Sequence, residues 1–222
     1  MRLFTNSGLL LVGILVLAGC NTSLNSDIVV ADGDSRAGGL TSVNGRVSVG
    51  KDCTVSGSAK TVNGRMQIGD RSKVEDLSTV NGRINTGEDV VVTGDVETVN
   101  GAVALGSGSR VSGRVATVNG SIAMVKSEVG HDVKSVHGDI QLLDSSIVKG
   151  DVVIDQKGTH GSWDTPITIE VAGGSVIEGD VIVKKAKTEV QLILRDGGKV
   201  LGEVDGAKVI DETGVQQAVN DN

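Results

Sequence analysis

The residues able to carry chemistry in this 222-residue chain are few. Its three histidines are His131, His137 and His160; His131 precedes Asp132, and His137 stands two residues before Asp139. Imidazole and carboxylate are metal-ligand types. Asp95, Asp151 and Asp180 hold the same place in three similar phrases, Gly94-Asp95-Val96, Gly150-Asp151-Val152 and Gly179-Asp180-Val181, and Arg114 holds it in a fourth. Carboxylates gathered on one face are the equipment for acid–base cleavage of a polysaccharide. Thiols are supplied by Cys20 and Cys53. Trp163, the single tryptophan, lies with His160 and Pro166 in a stretch unlike its surroundings, and a loop on a regular scaffold is a candidate interaction point. No Ser-His-Asp arrangement can be placed.

Whether these groups meet depends on the elements beneath them, and those are set by a repeat. Thr61-Val62-Asn63-Gly64 returns as Thr79-Val80-Asn81-Gly82, Thr98-Val99-Asn100-Gly101 and Thr117-Val118-Asn119-Gly120. Variants flank the set, Ser42-Val43-Asn44-Gly45 and Ser135-Val136-His137-Gly138, and the valines are 19, 18, 19, 19 and 18 residues apart. A fixed period of this size marks a solenoid in which each repeat is one coil. Counting from the valine, apolar residues return near +4, +6, +12 and +16, for example Val103, Leu105, Val111 and Val115 after Val99. Alternation at +4 and +6 is the period of a strand with one buried face. Positions 0, +6 and +12 divide the coil into three sides, so the expected fold is an all-β, single-stranded parallel β-helix of roughly triangular section. The position-zero valines, Val62, Val80 and Val99 among them, are expected to line its interior.

The same spacing carries back to Leu24-Asn25-Ser26 and forward, regularly, to Ile154. Beyond that, Val-x-Gly-x-Val phrases at residues 148–152, 177–181 and 200–204 set their glycines 29 and 23 residues apart, which implies irregular coils over 155–211 with an inserted loop at 155–166. About nine coils of 18–19 residues, at ~4.8 Å each, give a stack roughly 43 Å tall. Residues 212–222 form a polar tail. Asn and Gly tolerate positive φ, so each Asn-Gly is expected at one repeated corner, with Gly45, Gly64, Gly82, Gly101, Gly120 and Gly138 as corner glycines. Stacking would bring Asn25, Asn44, Asn63, Asn81, Asn100 and Asn119 into a hydrogen-bonded ladder, with a column of hydroxyls beside it. That ladder is expected to be structural, the competing role being a polar groove for a repetitive ligand. On the same ruler His131 and His137 fall at different corners, so no metal and no cofactor is expected. Cys53 falls within the regular coils as a small buried residue.

Formal charge is −7, or −8 from Cys20 onward, with one Trp, one Phe and no Tyr. That balance argues against nucleic acid, which needs clustered cations and stacking rings.

Residues 1–19 read as a secretory signal: Arg2, an apolar run from Leu9 to Leu17, then small residues. Leu17-Ala18-Gly19-Cys20 resembles the bacterial lipoprotein cleavage motif. That resemblance implies that Cys20 is lipidated and becomes the first residue, with 20–23 a short tether, and that acyl chains hold the protein to a membrane. Asn21, rather than Asp, after the cysteine implies sorting to the outer membrane. Val49-Gly50-Lys51-Asp52-Cys53-Thr54 is similar to the hexapeptide-repeat pattern of left-handed β-helices, many of them acyltransferases, but an exported chain would not meet their cytoplasmic acyl donors. The Val-x-Gly-Asp-Val phrases resemble those of bactofilin-type, polymer-forming β-helices and of putative-adhesin envelope solenoids. Together these imply a non-catalytic, lipid-anchored structural or interaction module that meets an unknown envelope protein or glycan and is a candidate for end-to-end self-association. The alternative is an exported polysaccharide-binding or polysaccharide-modifying protein using the acidic column or the His160–Trp163 loop.

Overall fold

The computed structural model describes residues 21–156, 165–184 and 188–214. These residues are all β, without a helix, and form a β-solenoid of about nine coils. The chain visits three parallel sheets in turn and returns one coil further along. The first sheet runs from Asn21–Ser23, Leu40–Ser42 and Ala59–Thr61 to Val204–Asp205; the second runs from Ile28–Val30 and Val47–Val49 to Lys208–Asp211; the third runs from Ser35–Arg36 and Thr54–Val55 to Lys199–Val200. They hold ten, ten and nine strands. Register follows the repeat: Val47 pairs with Met66, Met66 with Ile84, Ile84 with Val103 and Val103 with Ile122. The expanded coils keep the same rails, since Ile140 pairs with Ile169 across the first insertion and Ile169 with Leu192 across the second. Residues 157–164 of the 155–166 insertion, and 215–222 of the polar tail, lie outside the described residues.

Through the regular coils the three-residue strands place alternate residues inside. In Met66–Ile68 the ends are buried and Gln67 is exposed; in Val103–Leu105 the ends are buried around Ala104. The interior is one aliphatic column, with Leu40, Met66, Leu77, Ile84, Ile122, Met124, Ile140, Leu142 and Ile169 among its largest side chains. Burying each such side chain contributes about 1.5–3 kcal/mol. Val and Ile dominate because a β-branched side chain packs well on a pleated surface.

Three expectations are corrected. The valine of each Thr-Val-Asn-Gly does not enter the core: Val43, Val62, Val80 and Val99 are half-buried on the outer wall, and Val118 is 36% exposed. The preceding hydroxyl goes in instead. Ser42, Thr61, Thr79, Thr98, Thr117 and Ser135 are all buried. The reason is hydrogen bonding: Thr61 Oγ1 donates to Gly45 O at 3.0 Å, Thr98 to Gly82 O at 3.1 Å and Thr117 to Gly101 O at 3.0 Å, and these corner carbonyls lie one coil below. A valine there would leave the carbonyl unsatisfied. The phase of this one side was therefore off by a residue, while +4, +6, +12 and +16 point inward.

The second correction concerns the corner glycines, none of which has a left-handed φ. They are glycine because successive coils approach too closely for a side chain: a Cβ at Gly64 would collide with Gly45 O, one at Gly82 with Gly64 O, and one at Gly101 with Gly82 O. Left-handed backbone sits at another corner, at Gly33, Asp52, Arg71, Asp89, Gly108 and Lys126. The third correction concerns the tether, because residues 21–23 already form a strand paired with Leu40–Ser42, so the solenoid begins immediately after Cys20. Cys20 itself and the 1–19 segment lie outside the described residues.

Candidate functional site

The wall flanking the Asn-Gly corner is the most regular surface of the molecule. Asn44 Nδ2 donates to Asn25 Oδ1 at 2.8 Å, and the pattern repeats from Asn63 to Asn44, Asn81 to Asn63, Asn100 to Asn81 and Asn119 to Asn100 at 2.8–2.9 Å. Asn44, Asn63, Asn81 and Asn100 thus each give one hydrogen and accept one along the stack. His137 continues the column by pairing with Asn119, and Gln156 stands next, 3.3 Å from His137 Nδ1. On one side of the ladder runs the outer valine ridge. On the other side are Asp27, which follows Ser26, and the residues that follow the corner glycines, Arg46, Arg65, Arg83, Ala102, Ser121 and Asp139; the arginine part of that column was not singled out from sequence, although its signal, Asn-Gly-Arg three times at the repeat spacing, is plain.

The acids placed in one column by the sequence do share one, and it is longer than expected. Asp76 Oδ1 accepts the backbone N–H of Asp95 at 2.9 Å, Asp95 that of Arg114 at 2.9 Å, Asp132 that of Asp151 at 3.1 Å, Asp151 that of Asp180 at 2.9 Å and Asp180 that of Glu203 at 2.8 Å. The glycine before each recipient makes room for the carboxylate from below: a Cβ at Gly94 would meet Asp76 Oδ1 and one at Gly113 would meet Asp95 Oδ1. The Gly-Asp phrase is thus a coil-to-coil staple. Arg114 also pairs with Glu97, its Nη2 lying 2.6 Å from Oε1, and its guanidinium is held further toward the charged form by that hydrogen bond. These carboxylates are occupied along the stack rather than aimed in pairs at a common point.

The described histidines are separated as the spacing indicated: His131 is exposed next to the acid column, and His137 sits in the amide ladder. Among the described residues no group of three His, Cys, Asp or Glu could hold a metal. His160 and Trp163 lie outside the described residues. Cys53 is buried, but its place is not simply apolar. Its Sγ lies 3.0 Å from Ala31 O, and its counterparts in later coils are Ser72, Val90, Ser109, Ser127, Ser146 and Ser175, a second interior column of hydroxyls bonded to corner carbonyls and interrupted at Val90. At the left-handed corner, ion pairs link coils: Lys51 with Asp70 at 2.8 Å and Asp52 with Arg71 at 2.7 Å. The Lys51 ammonium holds the Asp70 carboxyl below the usual carboxylate range, and the Arg71 guanidinium does the same for Asp52.

Comparison of the chain with protein-family models, curated proteins and solved structures finds no match.

Proposed function

We propose that this chain is a non-catalytic, lipid-anchored module of a bacterial cell envelope, a rigid rod whose side walls present a structural or interaction surface. The observation that carries the reading is the continuity of the stack from its first residue: Asn21–Ser23 is already a paired strand, directly after Cys20. Acyl chains on that cysteine would hold the first coil at the membrane surface, with no slack, and fix where every later coil stands. A structural role for the repeated polar groups is supported by their use: amides, interior hydroxyls and Asp carboxylates all bond the next coil.

The test has two arms. Mass spectrometry of the N-terminal peptide from envelope fractions is expected to give a Cys20 residue carrying a diacylglycerol thioether, and Cys20→Ser is expected to release the protein from the membrane. Recovery of wild-type protein in the soluble fraction with an unmodified Cys20 would sink the anchoring. Incubation with envelope polysaccharide is expected to give no cleavage products. Turnover that is lost in Asp151→Ala, with the fold retained, would favour the polysaccharide-modifying alternative.

A further inference from the structure

The arginines of this protein divide into two kinds. Five of the eight described ones sit in ion pairs: Arg36 with Asp34, Arg71 with Asp52, Arg110 with Glu128, Arg114 with Asp95 and Glu97, and Arg195 with Glu170 and Glu212. The other three, Arg46, Arg65 and Arg83, are exposed and stacked in one column, and no carboxylate among the described residues lies within ion-pair distance of their guanidinium groups. Their backbones are tied directly: Val47 N donates to Arg65 O at 3.1 Å and Met66 N to Arg83 O at 2.9 Å. Neighbouring columns give no compensation, being Asn44, Asn63 and Asn81 on one side and Ser48, Gln67 and Asn85 on the other. Within the column itself the acid next to the arginines is Asp27, one coil below Arg46, and it accepts the Arg46 backbone N–H at 2.7 Å. Three like charges at coil spacing, about 4.8 Å apart, repel one another, and like charges opposite each other in a sheet are destabilising.

Charge is also divided along the rod. Residues 21–86 hold eight Lys and Arg against seven Asp and Glu, net +1; residues 87–222 hold twelve against 21, net −9. The arginine column occupies the second, third and fourth coils, counted from the Asn21 end. On the anchored reading above, on which this inference rests, that puts the three cations roughly 5–15 Å above the first strand. The lower part of that range is within the Debye length of about 8 Å, and a long arginine side chain extends it.

We infer that Arg46, Arg65 and Arg83 form a phosphate-binding face for the anionic headgroups of the membrane on which the first coil stands. Guanidinium groups match phosphate oxygens in a two-pronged geometry. Contact would relieve the repulsion within the column, and the acidic distal coils would be pushed from the same surface. The pair of effects sets which wall of the rod faces the lipid and keeps its far end away.

The chain from Asn21 onward keeps every described strand and the whole core, whose members run from Ile28 to Leu192. It lacks Cys20, so its binding reads the surface alone, whatever the outcome for lipidation. In co-sedimentation at low salt it is expected to bind vesicles of phosphatidylcholine with phosphatidylglycerol and not those of phosphatidylcholine alone. Arg46→Gln/Arg65→Gln/Arg83→Gln is expected to weaken binding by at least ~10-fold with an unchanged circular dichroism spectrum. A Lys199→Gln/Lys208→Gln control at the far end should bind as wild type. Absence of binding to the anionic vesicles, equal binding by the arginine variant, or equal loss in the lysine control would overturn the inference. So would displacement by millimolar inorganic phosphate at fixed ionic strength, which would indicate a discrete site for the free ion.

Discussion

At the scale of single residues, Asn81, like each inner member of the ladder, does two jobs with one side chain. Its Nδ2 donates to Asn63 Oδ1 and its Oδ1 accepts from Asn100 Nδ2, both at 2.8 Å. Asn81→Asp keeps the acceptor and removes the donor, so two oxygens face each other where a hydrogen bond had been. A loss of about 1 kcal/mol is expected. The added carboxyl regains a donor when protonated, so its folded pKa rises above the ordinary ~3.9. The deficit relative to wild type should be full at neutral pH and shrink toward pH 3. Asn81→Ala should show a deficit without that recovery. Thermal melts of the three proteins at pH 7 and pH 3 test this, and an Asp variant with the same deficit at both would refute the ladder as a source of stability. The ladder could be read from the Asn-Gly spacing because one amide stacked on a copy of itself has its partner supplied. Placement of the neighbouring threonine inside and the valine outside could not. Hydrophobicity favours the reverse, and the deciding group is a backbone carbonyl one coil away, which sequence patterns do not display.

At the scale of the elements, the strands are two to five residues long and each coil depends on its corners. The corner carrying left-handed Asp52 and Arg71 is held by carboxylate–cation pairs, as is the third sheet, where Lys149 bridges to Glu128. Asp52, Asp70 and Glu128 are held below the ordinary carboxylate range by Arg71, Lys51 and Lys149, respectively. Groups with depressed folded pKa values stabilise above their unfolded values and lose that contribution as pH falls through the folded ones. Lys51 and Lys149, raised by Asp70 and Glu128, keep theirs until pH rises past the ordinary lysine value. The melting temperature is therefore expected to be nearly flat from about pH 5 to 10 and to fall below about pH 4. Added salt should shrink that fall, because exposed pairs are screened. A melting temperature that holds between pH 7 and pH 3 would contradict these assignments. The glycines at the other corners were visible in the sequence, but the reason for them was not. Positive φ is the usual local explanation, whereas Gly64, Gly82 and Gly94 answer to atoms 18 or 19 residues earlier in the chain.

For the whole molecule, the repeat makes a strong demand, because a coil contacts only the coils above and below it. Deleting residues 100–118 joins Val99 to Asn119 and removes one complete turn. The pieces brought together already match. Asn119 Nδ2 would meet Asn81 Oδ1, Thr117 and Thr98 are the same residue, and Asp95 Oδ1 would take the backbone N–H of Asp132 as Asp132 now takes that of Asp151. Glu97 loses Arg114 and gains Lys134, which sits one coil beyond Ala116 in the same outward column. Inside, Val96 would stack on Val133 and Val103 would be replaced by Ile122. This shortened chain is expected to fold, with a parallel-β circular dichroism spectrum, a single melting transition and a midpoint only several degrees lower. Removing nine residues, 100–108, takes out about half a turn. That sets Ser109 and Arg110 against the ladder corner and aims the following aliphatics at the wrong sides. No cooperative melt near the wild-type midpoint is expected for it. Equal behaviour of the two deletions would mean that coil register is not what holds the rod together, and the placement of each charged column relative to the first coil, including the arginine face, would lose its basis.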